Sequence, residues 1–212
     1  MSVPVRQKYE LLSLPGWNRA EAIRMLFKLA GQEFTDCRLS IPEWRAFKLK
    51  ASLPPEARLP LLRINSRLTV VGAGEIGRVL AREFGFYAET TIESHYLEQI
   101  NQYLEILNRG LLPIVRDILS KNEKLRMKHW DEFKHELLRP ILEVLNCRLV
   151  GRKFLVSDRI TWADVGVAEI LMRFDNLFDP DFLREFPQLD EHRQRIANLP
   201  PLREDQRPRS II

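Results

Sequence analysis

Two kinds of hydrophobic spacing divide this chain, and they meet near residues 86–89. Before that point apolar residues come in short runs broken by Pro, Gly and Asn. Lys8–Leu14 (KYELLSL), Glu33–Leu39, Leu59–Ile64 and Leu68–Val71 read as strands, the last two joined by an Asn65-Ser66 turn. Pro15-Gly16 breaks the first strand, and Asn18 is placed to cap a helix whose first turn holds Glu21. Ala22, Ile23, Leu26, Phe27 and Ala30 give that helix one apolar face, and Gly31 closes it. Pro42–Lys50 reads as a short helix or an irregular segment. Leu68–Val71 runs into a helix with Ile76, Val79, Leu80 and Phe84 on one face. The order predicted for residues 1–85 is therefore β-α-β-α-β-β-α.

From Thr90 onward strand signals vanish. Ile92–Ile118 and Leu125–Cys147 carry long helical periodicity, with Pro113 and Pro140 expected to bend the helices. Thr161 followed three residues later by Asp164 makes a capping-box start, with Ile160 as its hydrophobic staple, for a helix reaching about Phe178. Pro180 and Pro187 punctuate shorter helical pieces, and Pro200-Pro201 and Pro208 stiffen the tail. Residues 86–212 are thus expected to form an all-helical domain behind a small α/β domain. No internal repeat or low-complexity segment appears.

Composition narrows the function classes. The 212 residues are 45% hydrophobic and 29% charged, an ordinary globular balance with ample core. No run reaches the ~18 apolar residues of a membrane span, and the opening MSVPVRQKYELL lacks the apolar segment of a secretory signal. Net charge is +4, but the cations are scattered, with a mild excess at Arg203, Arg207 and Arg209. A nucleic-acid binder calls for a clustered basic patch with stacking aromatics, so neither nucleic acid nor membrane is an expected partner. Cys37 and Cys147 have no metal-like spacing and read as small core residues, which fits a reduced cytoplasm. His95, His129, His135 and His192 form no metal or triad spacing, and His95 reads as a surface helix residue.

One motif invites a cofactor. Gly72-Ala73-Gly74-Glu75-Ile76-Gly77 follows a strand and opens a helix, which is the G-x-G-x-x-G dinucleotide fingerprint. That fingerprint needs a following strand ending in an acid about 20 residues on. Glu89 and Glu93 lie near that distance but open a long helix, and no further βαβ unit follows. The glycines then serve only a tight turn and close packing, and NAD is not expected.

A set of segments in fixed order points elsewhere: Arg19-Ala20-Glu21 with Ile23-Arg24, Ala30-Gly31-Gln32-Glu33-Phe34, Glu43-Trp44, Leu59-Pro60, Ile76 with Arg78 and Leu80–Gly85, and Ile160–Asp164. Over nearly its whole length the chain resembles the cytosolic glutathione transferases, with the sigma class as the nearest match. The resemblance implies a thioredoxin-like N-terminal domain (1–85), an all-α C-terminal domain (86–212), a homodimer, glutathione as co-substrate and attack of its thiolate on an electrophile. In that family the proline before the third strand is cis, and the residue before it pairs its backbone with the cysteinyl part of glutathione. Leu59 and Pro60 would fill those places, behind Arg58. Trp44 and Lys48 match positions at the glycyl end, where a cation suits a carboxylate. Thr161 and Asp164 match a folding signature with no chemistry. An apolar ligand site would lie between the two domains.

Two departures bear on activity. Aligned through Arg19-Ala20-Glu21, the tyrosine that holds the glutathione sulfur as thiolate falls on Ser13. A serine hydroxyl ends one carbon from the backbone, several ångströms short of a phenol. The serine some classes use just past the Leu-Pro-Gly turn is also absent, since Trp17 and Asn18 follow Leu14-Pro15-Gly16; the Asn18 amide is an alternative donor. The acidic or glutamine residue and the serine that bind the γ-glutamyl group fall on Gly72 and Ala73, leaving the backbone N–H groups and helix dipole. Gln102-Tyr103-Leu104-Glu105-Ile106 keeps little of the metal-binding pattern of prostaglandin-forming members, so no metal is expected. Conjugating activity is accordingly expected to be weak or lost, the alternative being a structural or interaction protein on the same scaffold. Lens crystallins of cephalopods belong to that second type but are far richer in methionine than the four found here.

Overall fold

The computed structural model describes residues 7–179 and 181–203. Pro180, Arg207, Pro208 and Arg209 lie outside the described residues. The chain divides into two compact units after Phe84, the second being Gly85–Arg203.

The first unit is built on four strands, β1 (Tyr9–Ser13), β2 (Thr35–Arg38), β3 (Leu61–Ile64) and β4 (Leu68–Val71), in the order β2-β1-β3-β4. β1 runs parallel to β2 and antiparallel to β3, and β3 and β4 form a hairpin. Its two-residue turn has Asn65 and Ser66 at φ +53° and +56°, the left-handed pair that matches strand twist. The third strand begins at Leu61 rather than at the expected Leu59, because Leu59-Pro60 is a cis pair outside the ladder. Three helices complete the unit: α1 (Glu21–Leu29), α2 (Ile41–Lys50) and α3 (Ala73–Phe84). α1 and α3 pack side by side. Leu11, Ile23, Leu26, Phe27, Leu62, Ile76 and Leu80 are fully buried there, and Tyr9 lies edge-on to Phe27 and Phe84. On the other sheet face Leu12 and Leu61 form a smaller cluster with Trp44 of α2 and Ala57.

The second unit is helical: α4 (Thr91–Leu119), α5 (Glu123–Phe133), α6 (Arg139–Arg148), α7 (Trp162–Leu177), α8 (Pro187–Ala197) and α9 (Pro200–Arg203). α4 runs through Pro113 without interruption. The expected single element over Leu125–Cys147 is instead α5 and α6 joined by a π-helical turn, Lys134–Leu138. Pro140 has no N–H to return to the preceding turn, and the wider turn just before it absorbs that missing bond. At Gly166 α7 packs tightly on α4, since an added Cβ would meet Leu104 at 2.5 Å. Trp130, Phe133, Phe174, Phe178 and Phe182 make the aromatic centre of this unit. Cys147 is exposed, not the small core residue expected, while Cys37 is half-buried; both are free thiols.

The α7 start keeps the expected cap and adds to it. The Asp164 carboxylate accepts from the Thr161 N–H (2.8 Å), the Thr161 hydroxyl (2.7 Å), the Leu155 N–H (2.7 Å) and His192 Nε2 (3.0 Å), all buried. Four donors satisfy a carboxylate that desolvation would otherwise make costly.

Candidate functional site

Ser13 ends β1 and is wholly buried. It shares its sheet face with Tyr9 and Leu11, since side chains alternate along a strand, and that is the face α1 covers. There its hydroxyl accepts from Arg24 Nη2 at 2.5 Å and leans on the Leu14 carbonyl at 3.2 Å. Arg24 lies on α1 among acids: it pairs with Glu21 one turn back, and donates to both Asp36 oxygens through Nε (3.1 Å) and to one through Nη2 (3.0 Å). Ser13 is therefore one member of a buried polar network reaching across α1, β1 and β2. Its short side chain is engaged inward.

The loop after β1 uses up the alternative donor. Asn18 Nδ2 donates to the carbonyls of Leu14 (2.9 Å) and Gly16 (3.0 Å), and its Oδ1 accepts from the Ala20 N–H (3.0 Å). The helix cap expected of Asn18 is not made, since the N-cap of α1 is Ala20 with no side-chain cap bond; the Asn18 amide closes the loop before it instead. The only tyrosine in the first 86 residues is Tyr9, at the opposite end of β1. Burial first, and then the Glu83 charge, push its phenol above the ordinary value.

On α2, Trp44 is buried, stacks on Phe47 (centroids 6.0 Å apart) and packs with Leu12 and Leu61. Lys48 reaches the Pro55 carbonyl at 2.9 Å, tying the helix to the turn that follows. Arg58 is exposed. Leu59 is half-buried against the Trp44 cluster, and the Leu59–Pro60 bond is cis. The Pro60 carbonyl accepts from the Gly72 N–H at 2.9 Å, which brings the start of α3 beside this pair. Among the described residues nothing pairs with the backbone N–H or C=O of Leu59.

Gly72 stands at φ +93°, a conformation few L side chains adopt, with open space where a Cβ would be. Its carbonyl accepts from the Ile76 N–H (3.0 Å), so α3 starts here and the N–H groups of Ala73, Gly74 and Glu75 have no partner within the helix. Glu75 turns its carboxylate to Arg78 (2.8 Å). The structure therefore brings Leu59, Pro60, Gly72 and Ala73 together around unpaired backbone groups, with Trp44 beneath Leu59 in the same cluster. Ser13 faces the other side of the sheet.

A family model described as "Glutathione S-transferase, C-terminal domain" matches residues 111–204. The probable glutathione S-transferase 8 of Caenorhabditis elegans is 30% identical over 200 residues, spanning 89% of this chain and 90% of that one. This chain belongs to the glutathione transferase family. S-crystallin 4 of Enteroctopus dofleini is 28% identical over 197 residues, 87% of this chain and 88% of that protein. The monomeric transferase Na-GST-3 of the hookworm Necator americanus superposes with a TM-score of 0.81 at 27% identity, covering 97% of this chain and all of that one.

Glutathione is the co-substrate of this transferase family, and the first unit has the family's mixed four-stranded sheet. What sequence reasoning missed is Arg24 as the owner of the Ser13 hydroxyl. A signal was present: arginine and two acids within a turn and a strand of Ser13 are too many charges to bury unpaired. No group of three or more His, Cys, Asp or Glu that could hold a metal occurs among the described residues, and no helix of them is long and apolar enough to cross a membrane.

Proposed function

We propose that this chain is a sigma-like glutathione transferase that binds glutathione chiefly through backbone groups and conjugates it slowly or not at all. One observation carries the reading: the residue in the thiolate-holding place is a serine whose hydroxyl is buried on Arg24. A hydrogen bond to a charged group contributes roughly 1.5–3 kcal/mol, a factor of about ten to a hundred, so a missing thiolate donor lowers turnover by that order. The γ-glutamyl carboxylate would lie on the free N–H groups of Ala73–Glu75, and the cysteinyl backbone on Leu59. Trp44 would shape the glycyl end and Lys48 supply its cation, after exchanging the Pro55 carbonyl for the glycine carboxylate. Arg58 and Pro60 would border the site. The protein would act in the cytoplasm as a homodimer with an apolar ligand, which sedimentation tests for the dimer; Na-GST-3 is described as monomeric.

A second reading is a structural or interaction role on the same scaffold. The S-crystallins among the relatives favour it, together with the buried Ser13. Calorimetric titration with glutathione, followed by conjugation of a general aromatic electrophile, separates the two. Glutathione binding with slow turnover supports the first reading, and no binding supports the second. Ordinary turnover with sub-millimolar affinity overturns both.

A further inference from the structure

A hollow of about 240 Å³ opens in the second unit. One side is the π-helical turn Lys134–Leu138 with the first turn of α6, and the other holds the 3-10 turn Phe182–Glu185 that precedes α8. π-helical turns are rare and recur at functional sites. Leu138 and Leu142, one turn apart, line the hollow from the helix, and Phe182 and Phe186 line it from the other side; all four are buried. Phe182 is fixed there, edge-on to Phe174 with ring centroids 5.7 Å apart. The volume lies below the roughly 300–1,000 Å³ of drug-sized ligand sites. An occupant is therefore limited to the size of an amino acid.

Charge in the rim is sorted by side. Lys134 and Arg139 stand on the helical side, one turn apart, since the Arg139 N–H donates to the Lys134 carbonyl across the π turn. Asp179 and Glu185 stand opposite, and each cation meets one acid. Arg139 Nη2 is 2.6 Å from the Glu185 carboxylate, a close pair. Lys134 Nζ is 3.5 Å from the Asp179 carboxylate, and both side chains are partly exposed, so opening this pair costs little. The third acid of the rim, Asp181, is turned to Arg184 at 2.8 Å. A ligand that enters between Lys134 and Asp179 has to satisfy both. A monoanion leaves Asp179 without its cation, and a monocation leaves Lys134 without its anion. A zwitterion replaces each partner with a like charge.

We propose that this hollow binds a free aliphatic α-amino acid. Its carboxylate lies on Lys134, its ammonium on Asp179, and its side chain against Leu138, Leu142, Phe182 and Phe186. The site uses neither the Leu59 and Gly72 backbone groups nor glutathione.

The test uses the full chain and three matched probes: L-leucine, 4-methylpentanoate, which lacks the ammonium, and 3-methylbutylamine, which lacks the carboxylate. L-Leucine is expected to bind saturably and to shift the backbone amide resonances of Leu138, Leu142 and Phe182. A hydrogen bond to a charged group is worth about tenfold or more, so each truncated probe is expected to bind at least about tenfold more weakly. Lys134→Gln is expected to weaken L-leucine about tenfold without weakening the amine. Asp179→Asn is expected to weaken L-leucine to the same degree without weakening 4-methylpentanoate. Both side chains are partly exposed, and either variant decides the matter if the other fails to fold. No saturable L-leucine binding, equal binding of the three probes, unchanged L-leucine affinity in a folded variant, or shifts confined to other residues would overturn the proposal. None of these readouts uses glutathione or turnover, so the proposal stands or falls apart from the transferase reading.

Discussion

On the proposed reading, the end of β1 and the start of α3 would each lack a glutathione-binding side chain, yet the two places differ in what surrounds them. At Ser13 the interior closed in: the hydroxyl is buried and held by Arg24, itself bound to Glu21 and Asp36. At Gly72-Ala73 nothing moved in, and the helix start keeps its unpaired N–H groups beside the cis Leu59–Pro60 pair. A helix start carries its own donors whatever the side chain. A strand end offers a sulfur only what its side chain can reach. On the proposed reading, binding would outlast such replacements where activation would not.

The largest effect expected is at the network that closed the first position. Arg24→Met takes the guanidinium from buried Glu21 and from the more exposed Asp36, and breaking a buried pair such as Arg24–Glu21 costs about 3 kcal/mol or more. Urea unfolding reads that loss; a change below about 1 kcal/mol would mean the network does not hold the end of β1. Next comes the open position. Ala73→Ser places a hydroxyl where a γ-glutamyl carboxylate would lie, and one hydrogen bond to a charge predicts about tenfold tighter glutathione. Calorimetry measures this. Unchanged affinity would place the carboxylate elsewhere and end the comparison.

What the sequence made legible was local in range. Strand and helix patterns, the Asn65-Ser66 turn and the Thr161-x-x-Asp164 start all lie within a few residues, where backbone geometry dictates the contact. The two further donors to Asp164, Leu155 and His192, come from 9 and 28 positions away and left no local pattern. The site followed the same rule. Gly72 was read correctly as a tight turn into a helix, because positive φ and a helix start are local properties. The fate of the Ser13 hydroxyl depends on Arg24, 11 residues on, and on Asp36 beyond it. Lys48 resisted reading for the same reason, since the carbonyl it meets belongs to a turn fixed by tertiary packing. The π-helical turn was hidden too: Pro140 announces a break in the ladder but not how the helix passes it.

A smaller effect separates fold from function at the closed position. Ser13→Ala removes one acceptor from Arg24 but leaves its Asp36 bonds, so the expected cost is about 1 kcal/mol in stability. Glutathione affinity should not change, because the hydroxyl faces away from the Leu59 and Gly72 groups. A loss of affinity without loss of stability would return Ser13 to the site.

The smallest effect compares two helix starts. α3 begins on bare backbone, whereas α2 begins with Ser40, whose N–H (2.7 Å) and hydroxyl (2.6 Å) both donate to the Glu43 carboxylate. The hydroxyl and then the N–H hold Glu43 below its ordinary 4.5. A carboxylate with a lowered folded pKa contributes stability above its unfolded value and loses it as pH falls through the folded value. Wild type should therefore exceed Glu43→Gln in urea midpoint at neutral pH, and the gap should close below about pH 4.5. The gap is small because the carboxylate is exposed and screened by solvent. A gap that persists in acid would show that Glu43 supports α2, and Trp44 next to it, by packing rather than by charge at the helix start.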